Sequence, residues 1–324
     1  MTLPRSAAVL GLGAVGSALA HELPRAGIPV SLAWQRGQGT PPAKVRDAPL
    51  VLLAVPDGAV EALCRQLVGL GLVGKGQLVV HLAGALPLLP LEDARRAGAE
   101  VGSLHPLRAF VRGGPRRFAG AACGVSGGSK GAVLALREVA VGLGMDPIDA
   151  PDATRALYHA GAVLSAGCQV ALFAAATRAF LLATSATEAE ARAALLPLAL
   201  NSLEHLKERT PAEVLTGPIA RGDAATVKVH RAALPKELLP LYDALSRVAL
   251  SLARAGDRST PAALDAVEKV LSASRGRPAP RSGSSPRRLP KPAPATRAAS
   301  SPRSKRSGSP PAPPPPGRAT RRRK

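Results

Sequence analysis

Short, continuous apolar runs recur along the first half of the chain, separated by stretches with helical spacing. The runs lie at residues 7–10, 28–33, 50–55, 78–82 and 101–104. A run without polar alternation is typical of a parallel strand that is buried on both faces. Val60, Leu63 and Leu67 show the helical spacing between two such runs. Strand alternating with helix predicts an α/β fold built on a doubly wound sheet.

The pattern changes after Pro151. Two further strands are predicted at 118–125 and 145–148, around a helix at 132–143, and no strand pattern follows them. Helices are then predicted at residues 155–184, 187–209, 238–255 and 261–272. The sequence therefore predicts an all-α domain after the sheet.

Two local signals refine this helical half. Thr187 and Glu190 have the spacing of a capping box at a helix start. The segment 216–223 is too rich in Gly and Pro for a helix interior, so we expect a structured loop there. Asp223 is expected to cap the helix that follows.

The first apolar run ends in a G-x-G-x-x-G motif, formed by Gly11, Leu12, Gly13, Ala14, Val15 and Gly16. The first Gly allows a tight turn, the second lets the backbone approach a pyrophosphate, and the third lets the helix pack against the strand. Phosphate would meet the helix N-terminus. Residues 1–150 are therefore predicted to form a Rossmann dinucleotide-binding domain, with Gly11, Gly13, Ala14, Val15 and Gly16 at the cofactor.

Two other interpretations of the motif remain open. It is compatible with a plain Gly-rich turn, and Arg5 followed by an apolar core imitates a secretory signal. The strand and helix patterns that follow favour the Rossmann interpretation.

The end of the second predicted strand bears on the choice of cofactor. An acid about 20 residues past the glycines would bind the ribose of NAD, but the chain reads Ala33, Trp34, Gln35, Arg36. Gln35 and Arg36 are predicted to lie at the cofactor, and Arg36 suits a 2′-phosphate, which favours NADP over NAD. The alternative is that Arg36 is a solvated loop arginine.

Ligands of a doubly wound sheet lie beyond the carboxyl ends of its strands. The residues at these ends are Val55, Pro56, His81, Gly84 and His105. Val55 and Pro56 are predicted to line the cofactor site.

Hydride transfer needs a group that polarises the acceptor and supplies a proton, and histidine suits this task. His105 and His159 are the candidates, although a structural histidine is an equal alternative for each. Thr216 and Asp223, in the predicted loop, are expected to face the nicotinamide. The sequence has neither a cluster with metal-ligand spacing nor a G-x-S-x-G elbow, which argues against a metal site and against nucleophilic hydrolysis.

Charge is distributed unevenly. Residues 272–324 hold 15 basic residues, no acid and no aromatic residue, so the first 271 residues carry 28 basic residues against 22 acids. The tail is too poor in apolar residues to fold, and we expect it to be disordered. It is predicted either to bind nucleic acid weakly and without sequence preference, or to be a neutral solubilising extension.

The sequence has three cysteines, Cys64, Cys123 and Cys168, with no paired spacing. They are interpreted as buried thiols of a cytoplasmic protein. The 18 residues 160–177 are uncharged, but they contain glycines and Gln169. A buried helix at a domain or dimer interface is favoured over a membrane span.

Three motifs resemble one bacterial family. They are Ser103-Leu104-His105-Pro106-Leu107, Leu157-Tyr158-His159-Ala160, and Leu215-Thr216-Gly217-Pro218-Ile219 followed by Arg221-Gly222-Asp223. In this order after a Rossmann half, they resemble Rossmann-like proteins with a C-terminal helical domain of unknown function. That family is similar in architecture to pyrroline-5-carboxylate reductase and the 3-hydroxyacid dehydrogenases. The resemblance implies an NADP-dependent oxidoreductase. Reductases of similar architecture pair through their helical domains, so we expect a homodimer that pairs through the helical domain 151–271.

The chain departs from the family pattern twice. Ala83 stands where the family usually has Ser in His-x-Ser-Gly, and Gly167 stands where it usually has Asn. Each departure removes a polar group from the expected site. The sequence thus leaves open an NADP(H)-dependent reductase or dehydrogenase of a small carbonyl, imine or hydroxy compound, a non-catalytic NADP(H)-binding protein with a polyanion-binding tail, and a scaffold that acts through its tail.

Overall fold

A seven-stranded sheet forms the first part of the computed structural model, which describes residues 3–110 and 116–273. The strands are β1 (Ala7–Leu10), β2 (Val30–Trp34), β3 (Leu50–Leu53), β4 (Leu78–His81), β5 (Glu100–Pro106), β6 (Ala122–Gly127) and β7 (Asp146–Asp149). Their order is β2-β1-β3-β4-β5-β6-β7. Strands β1 to β5 run parallel to one another, β6 is antiparallel to β5, and β7 is parallel to β6.

Alternate residues of the parallel strands pack into two different cores. Ala7 and Val9 of β1 belong to one apolar cluster, with residues of the first helix and of the helix before β7. Ala8 and Leu10 belong to a second cluster, with residues of the two helices between β3 and β5. Both faces of the sheet are covered, which explains why these strands read as continuous apolar runs.

The helices of the sheet region are α1 (Ala14–Glu22), α2 (Val60–Gly69), α3 (Glu92–Arg96) and α4 (Lys130–Gly142). Those that follow are α5 (Arg155–Ser165), α6 (Gly167–Ala183), α7 (Glu188–Glu204), α8 (Pro211–Val214), α9 (Gly217–Ala220), α10 (Ala224–Ala233), α11 (Leu239–Ala255) and α12 (Pro261–Ser272). Helices α9 to α12 share an apolar core that includes Ile219, Val227, Leu250 and Val267. No strand follows β7 within the described residues. The predicted fold class, a Rossmann sheet followed by an all-α region, is confirmed.

Several predicted elements have different limits in the structure. The predicted helix 155–184 is two helices, broken at Ala166, whose backbone leaves the helical conformation. The predicted loop 216–223 contains one helical turn, α9, which Pro218 suits as an early helical residue. The sixth strand begins at Ala122 rather than at 118.

The predicted caps are present. The Thr187 hydroxyl accepts from the Glu190 amide, and the Glu190 carboxylate accepts from the Thr187 amide, which completes the capping box. Asp223 accepts from the Thr226 amide at the start of α10. Each cap satisfies backbone donors that the helix itself leaves unpaired.

Met1–Leu271 form one compact unit by their contacts. The predicted boundary between 150 and 151 and the predicted homodimer stay predictions. The predicted disordered tail lies, from residue 274 on, outside the described residues.

The helices after the sheet leave a large apolar surface uncovered in the single chain. One helical stretch, Asp152–Ala183, is long and apolar enough to cross a membrane by length and composition alone, and 6 % of its most apolar window is buried. The single chain thus does not bury this helix, and its expected burial at a dimer interface stays a prediction. Cys64 and Cys123 are buried as expected, but Cys168, on α6, is exposed.

Candidate functional site

The Gly-rich loop links β1 to α1 where the strand order reverses, because β1 lies between β2 and β3. Gly11 has a φ of +103°, and a Cβ there would lie 2.3 Å from the Ala54 carbonyl oxygen. A Cβ on Gly16 would lie 1.9 Å from the Gly11 carbonyl oxygen. Both positions therefore require glycine for the loop to pack at all.

Gly13 differs from these two glycines. A Cβ there would meet no atom within 4 Å, and the residue stands at the start of α1 with no side chain capping the helix. The free amides of the first turn, at Ala14 and Val15, belong to a helix end of the kind that binds phosphate. Packing within the protein thus does not require glycine at position 13, but a ligand at the helix start would use the open space there.

A cavity of about 320 Å³ adjoins this loop. It is lined by Gly11, Leu12, Gly13, Trp34, Arg36, Ala54, Val55, Pro56, Ala59, Ala62, Leu63 and Gln66. The structure therefore brings Arg36, Val55 and Pro56 to the Gly-rich loop, as the sequence predicts for a cofactor site. No carboxylate of the described residues lines this cavity.

Arg36 and Gln35 have different surroundings. The Arg36 guanidinium makes no hydrogen bond or ion pair with the described residues, so its charge is free for a ligand. Gln35 instead belongs to a short turn, in which its backbone N–H donates to Gln38 Oε1 at 2.9 Å. Trp34, to which sequence reasoning gave no role, lines the cavity, and its indole Nε1 is buried without a partner in the described part of the chain.

A second cluster forms where β5 meets α5. Tyr158 Oη and His105 Nδ1 are 2.9 Å apart and hydrogen-bonded, with the two rings edge to face. The rings of His105 and His159 are 5.6 Å apart, also edge to face. The structure thus brings together the two histidines that the sequence predicts as catalytic. Tyr158 of α5 joins them through its hydrogen bond to His105 of β5.

Two glycines make room for this cluster. A Cβ on Gly84 would lie 2.2 Å from His159 Cδ2 and 2.7 Å from His105 Nε2. A Cβ on Gly124 would lie 2.3 Å from the Tyr158 hydroxyl. The His105 and His159 rings and the Tyr158 hydroxyl therefore pack directly against backbone.

Arg155, the first residue of α5, is buried next to the cluster and donates hydrogen bonds to the residues around it. It is 1 % exposed and has no carboxylate within ion-pair distance among the described residues. Its guanidinium donates to Ser126 Oγ at 3.0 Å, to the Ala150 carbonyl at 3.2 Å, to the Ala83 carbonyl at 3.1 Å and to Ser103 Oγ. One arginine thus ties together the ends of four strands, and sequence reasoning missed it.

The electrostatics of the cluster keep His105 neutral. Burial, followed by the charges of His159 and Arg155, lowers the pKa of His105 to about 4. A neutral imidazole has one N–H donor and one acceptor nitrogen. At neutral pH, His105 can therefore donate a hydrogen bond without carrying a positive charge.

His81 also lies at a strand end but is a structural residue. Its ring is fully buried, and Nε2 is 3.1 Å from the Pro87 carbonyl oxygen. Burial, followed by the charge of Arg155, lowers its pKa to about 4. The ring tethers the loop after β4.

A cavity of about 510 Å³ opens beside the cluster. It is lined by His105, Pro106, Leu107, Arg108, Ala109, Ile148, Tyr158, His159, Gly161, Ala162, Val163, Ser165, Ala166 and Gly167. Gly167 is one of the two departures from the family pattern. This cavity therefore lacks the Asn side chain that the family usually has at that position.

Thr216 and Asp223 are not among the residues that line this cavity. Asp223 caps α10, its carboxylate also accepts from the Thr226 hydroxyl at 2.6 Å, and these hydrogen bonds hold its pKa below the usual range. Thr216 is exposed before α9. Their predicted catalytic role stays a prediction.

Residues 121–249 match the family described as "Domain of unknown function (DUF2520)". The resemblance is confirmed. No curated protein sequence matches the chain.

Solved structures share the fold at low sequence identity. A Thermotoga maritima protein is 19 % identical, with a TM-score of 0.58 over 77 % of this chain and 98 % of that chain. A reductive aminase from Aspergillus terreus, in complex with NADPH and ethyl-5-oxohexanoate, is 17 % identical, with a TM-score of 0.54 over 83 % of this chain and 99 % of that chain. A Plasmodium falciparum pyrroline carboxylate reductase with NADP bound is 13 % identical, with a TM-score of 0.51 over 83 % of this chain and 98 % of that chain.

Proposed function

We propose that this protein is an NADP(H)-dependent oxidoreductase that reduces a small carbonyl or imine, or oxidises the corresponding hydroxy compound or amine. The observation that carries the proposal is the pairing of a Gly-rich phosphate cradle with a free Arg36 at one cavity and a His105–Tyr158–His159 cluster at another. NADPH and NADP in two proteins of the same fold support the choice of cofactor.

The described residues fit a dinucleotide. Gly13 leaves open space at the start of α1 for a pyrophosphate, and Arg36 presents an unpaired guanidinium where a 2′-phosphate would need one. The buried Trp34 Nε1 is a further donor without a partner. When bound, NADPH supplies a hydride to the substrate carbon.

His105 would then act on the substrate heteroatom. If the Tyr158 hydroxyl donates to Nδ1, the His105 proton is on Nε2, the nitrogen that lies against Gly84 and near His159. A neutral Nε2–H polarises a carbonyl oxygen or imine nitrogen by hydrogen bonding, as the negative charge grows there during hydride addition. The proton that completes the reduction passes from His105 Nε2 to that atom, the Tyr158 hydroxyl proton passes to Nδ1 so that the ring stays neutral, and solvent reprotonates the tyrosine.

The test of this function is a spectroscopic screen. Purified full-length protein is assayed for NADPH oxidation with oxo acids, ketones and cyclic imines, and for NADP reduction with hydroxy acids. Turnover of at least one class supports the proposal. Binding of NADPH without turnover of any class would instead favour a non-catalytic NADP(H)-binding protein, whose tail of 15 basic residues contacts a polyanion.

Cofactor preference gives a sharper prediction. NADPH should bind more tightly than NADH, and Arg36→Ala should weaken NADPH binding by about 10- to 100-fold while leaving NADH unchanged, since a charge-assisted hydrogen bond is lost. Calorimetry measures all four affinities. Lys44→Ala, an exposed change outside the cavity, is the matched control and should change neither affinity.

Gly13→Val separates binding from folding in the same assay. It should abolish binding of both cofactors without lowering the melting temperature, because the new side chain enters ligand space. Equal affinities of the wild type for NADPH and NADH would refute the role of Arg36.

We further propose that the protein is a cytoplasmic homodimer that pairs through α5 to α7. These helices expose many large apolar side chains, among them Leu164, Val170, Leu198 and Leu200, and large exposed apolar surfaces mark interaction sites. A bilayer span fits less well, because Arg155 and Tyr158 anchor α5 to the sheet. The 17 residues of α6 are fewer than the roughly 20 that a span needs.

Light scattering of the full-length protein at micromolar concentration should give a dimer. Val170→Asp should convert it to a monomer, because the charge would be buried at the interface. Leu89→Asp is the matched control, since Leu89 in the sheet region and Val170 are each 73 % exposed. A monomeric wild type would refute the proposal.

A further inference from the structure

The cavity beside His105 has one permanently charged lining residue, Arg108. The other polar lining groups are the His105 and His159 rings, the Tyr158 hydroxyl and Ser165, and the remaining walls are apolar or glycine. None of the lining residues within 3–110 and 116–273 is a carboxylate. A small ligand in it would therefore meet apolar walls, a hydrogen-bonding corner and a single cation.

The Arg108 side chain has few partners of its own. Within the described part of the chain its one hydrogen bond is long, from Nη1 to the Ala119 carbonyl at 3.4 Å, and no ion pair joins it to a described carboxylate. Guanidinium has five N–H donors in a fork that matches a carboxylate. Most of its capacity is thus available to a ligand.

A second positive charge lies close to one lining residue, since the Arg155 guanidinium carbon is 6.0 Å from the centre of the Tyr158 ring. Arg155 is buried with four neutral acceptors and no ion-pair partner, and its charge helps to lower the pKa of His105. Two positive charges without a lining carboxylate produce a positive potential, which attracts an anion. A ligand carboxylate would supply the missing negative charge.

The spacing fits a single small molecule. Arg108 follows His105 by three residues, so their Cα atoms are at most about 11 Å apart along the chain. One molecule with a carbonyl at His105 and an anionic group a few carbons away can reach both side chains.

We propose that the substrate carries a carboxylate that Arg108 binds, so that its reacting carbonyl, imine or hydroxyl lies at His105. This rests on the proposed function for the reacting group, but the carboxylate site can be tested by binding alone. A carboxylate is favoured over a phosphate ester because the described residues present one lining cation to the cavity rather than a cluster.

Calorimetry with short oxo acids and their carboxamides, for example levulinate and levulinamide, tests the proposal on the full-length protein. Each ligand is titrated with and without saturating NADP, which prevents reduction. Among the acids, at least one should bind about 10-fold or more tightly than its amide. Arg108→Gln should remove this difference by weakening the acid alone, and Arg108→Lys should restore part of it because lysine keeps the charge but loses the fork.

Arg116→Gln is the matched control, since Arg116 is an exposed arginine outside the cavity lining, and it should leave both affinities unchanged. Equal binding of acid and amide throughout the series, or a preference that survives Arg108→Gln, would overturn the proposal. An Arg108-dependent preference without any NADPH turnover would sustain the carboxylate site and refute the oxidoreductase. Turnover of uncharged ketones that Arg108→Gln leaves unchanged, with no preference for acids, would sustain the oxidoreductase and refute the carboxylate site.

Discussion

Arg155→Met should lower the free energy of unfolding by about 3 kcal/mol, the size expected when several buried acceptors lose their donor. The guanidinium satisfies two serine hydroxyls and two carbonyls at the ends of β4, β5, β6 and β7. Each buried acceptor left without a partner costs about 1–3 kcal/mol. Denaturant unfolding of the cofactor-free protein measures the change.

The removal of a buried charge acts against this loss of stability in Arg155→Met. Removing Arg155 also removes a buried charge that has no ion-pair partner, and the desolvation of such a charge costs several kcal/mol by itself. Burial lowers the pKa of Arg155 in accordance with this cost. We expect the lost hydrogen bonds to cost more than the removal of the buried charge gains, because all four acceptors belong to buried residues and cannot turn towards water.

Arg155→Lys distinguishes the two effects. Lysine keeps the buried charge but cannot reach all four acceptors, so this variant should be at least as unstable as Arg155→Met. Arg137→Met is the control, because Arg137 forms an ion pair with the exposed Asp149, and exposed pairs contribute less than about 1 kcal/mol. A loss at Arg155 no larger than at Arg137 would contradict the role of Arg155 as a tie between strands.

The sheet could be predicted from the sequence because its signal is local. Buried parallel strands have apolar residues at every position, and Gly11 and Gly16 mark a turn whose geometry allows no side chain. The strand ends then place Val55, Pro56 and His105 at one edge without any knowledge of contacts distant in sequence.

The cluster around His105 depended on contacts that the sequence does not reveal. Arg155 reads as one more charged residue at a helix start, and its burial follows only once β4 to β7 converge on it. A signal was nevertheless present in Ser103 and Ser126, which are polar residues inside strands that otherwise read as apolar. Tyr158 was part of a quoted motif, but its partner His105 is 53 residues away.

The break at Ala166 and the exposure of α6 were also missed, for a different reason. Gly167, directly after Ala166, is a poor helix former, but the apolar residues continue on both sides of it and predict one continuous helix there. Apolar composition indicates that a surface becomes covered, but it does not distinguish the chain's own core from a second molecule. The exposed Val170 and Cys168 are therefore compatible with the homodimer that we propose.

His105→Ala should lower kcat by about 100- to 10,000-fold, the usual contribution of a positioned proton donor. The Kd for NADPH should not change, because His105 does not line the cavity at the Gly-rich loop. His205→Ala, a change at an exposed histidine beyond α7, is the matched control and should leave kcat unchanged. Tyr158→Phe keeps the ring but removes the hydrogen bond to Nδ1, and should cost about 10-fold.

The protonation state of His105 gives a readout independent of turnover. Its pKa of about 4 in the folded protein lies below the ordinary value of about 6.5. Between these values the unfolded chain binds more protons than the folded one, so the stability of the protein falls as the pH falls from about 6.5 to about 4. His105→Ala should reduce this loss of stability, whereas His205→Ala should not.

An NMR titration of the His105 ring completes the argument. The ring signals should stay constant from neutral pH down to about pH 5 and change near pH 4. A midpoint near 6.5 would mean that the imidazole is solvated and charges readily, and the neutral donor proposed here would then be wrong. Loss of turnover in His105→Ala together with that midpoint would instead assign His105 as a proton donor in its charged form.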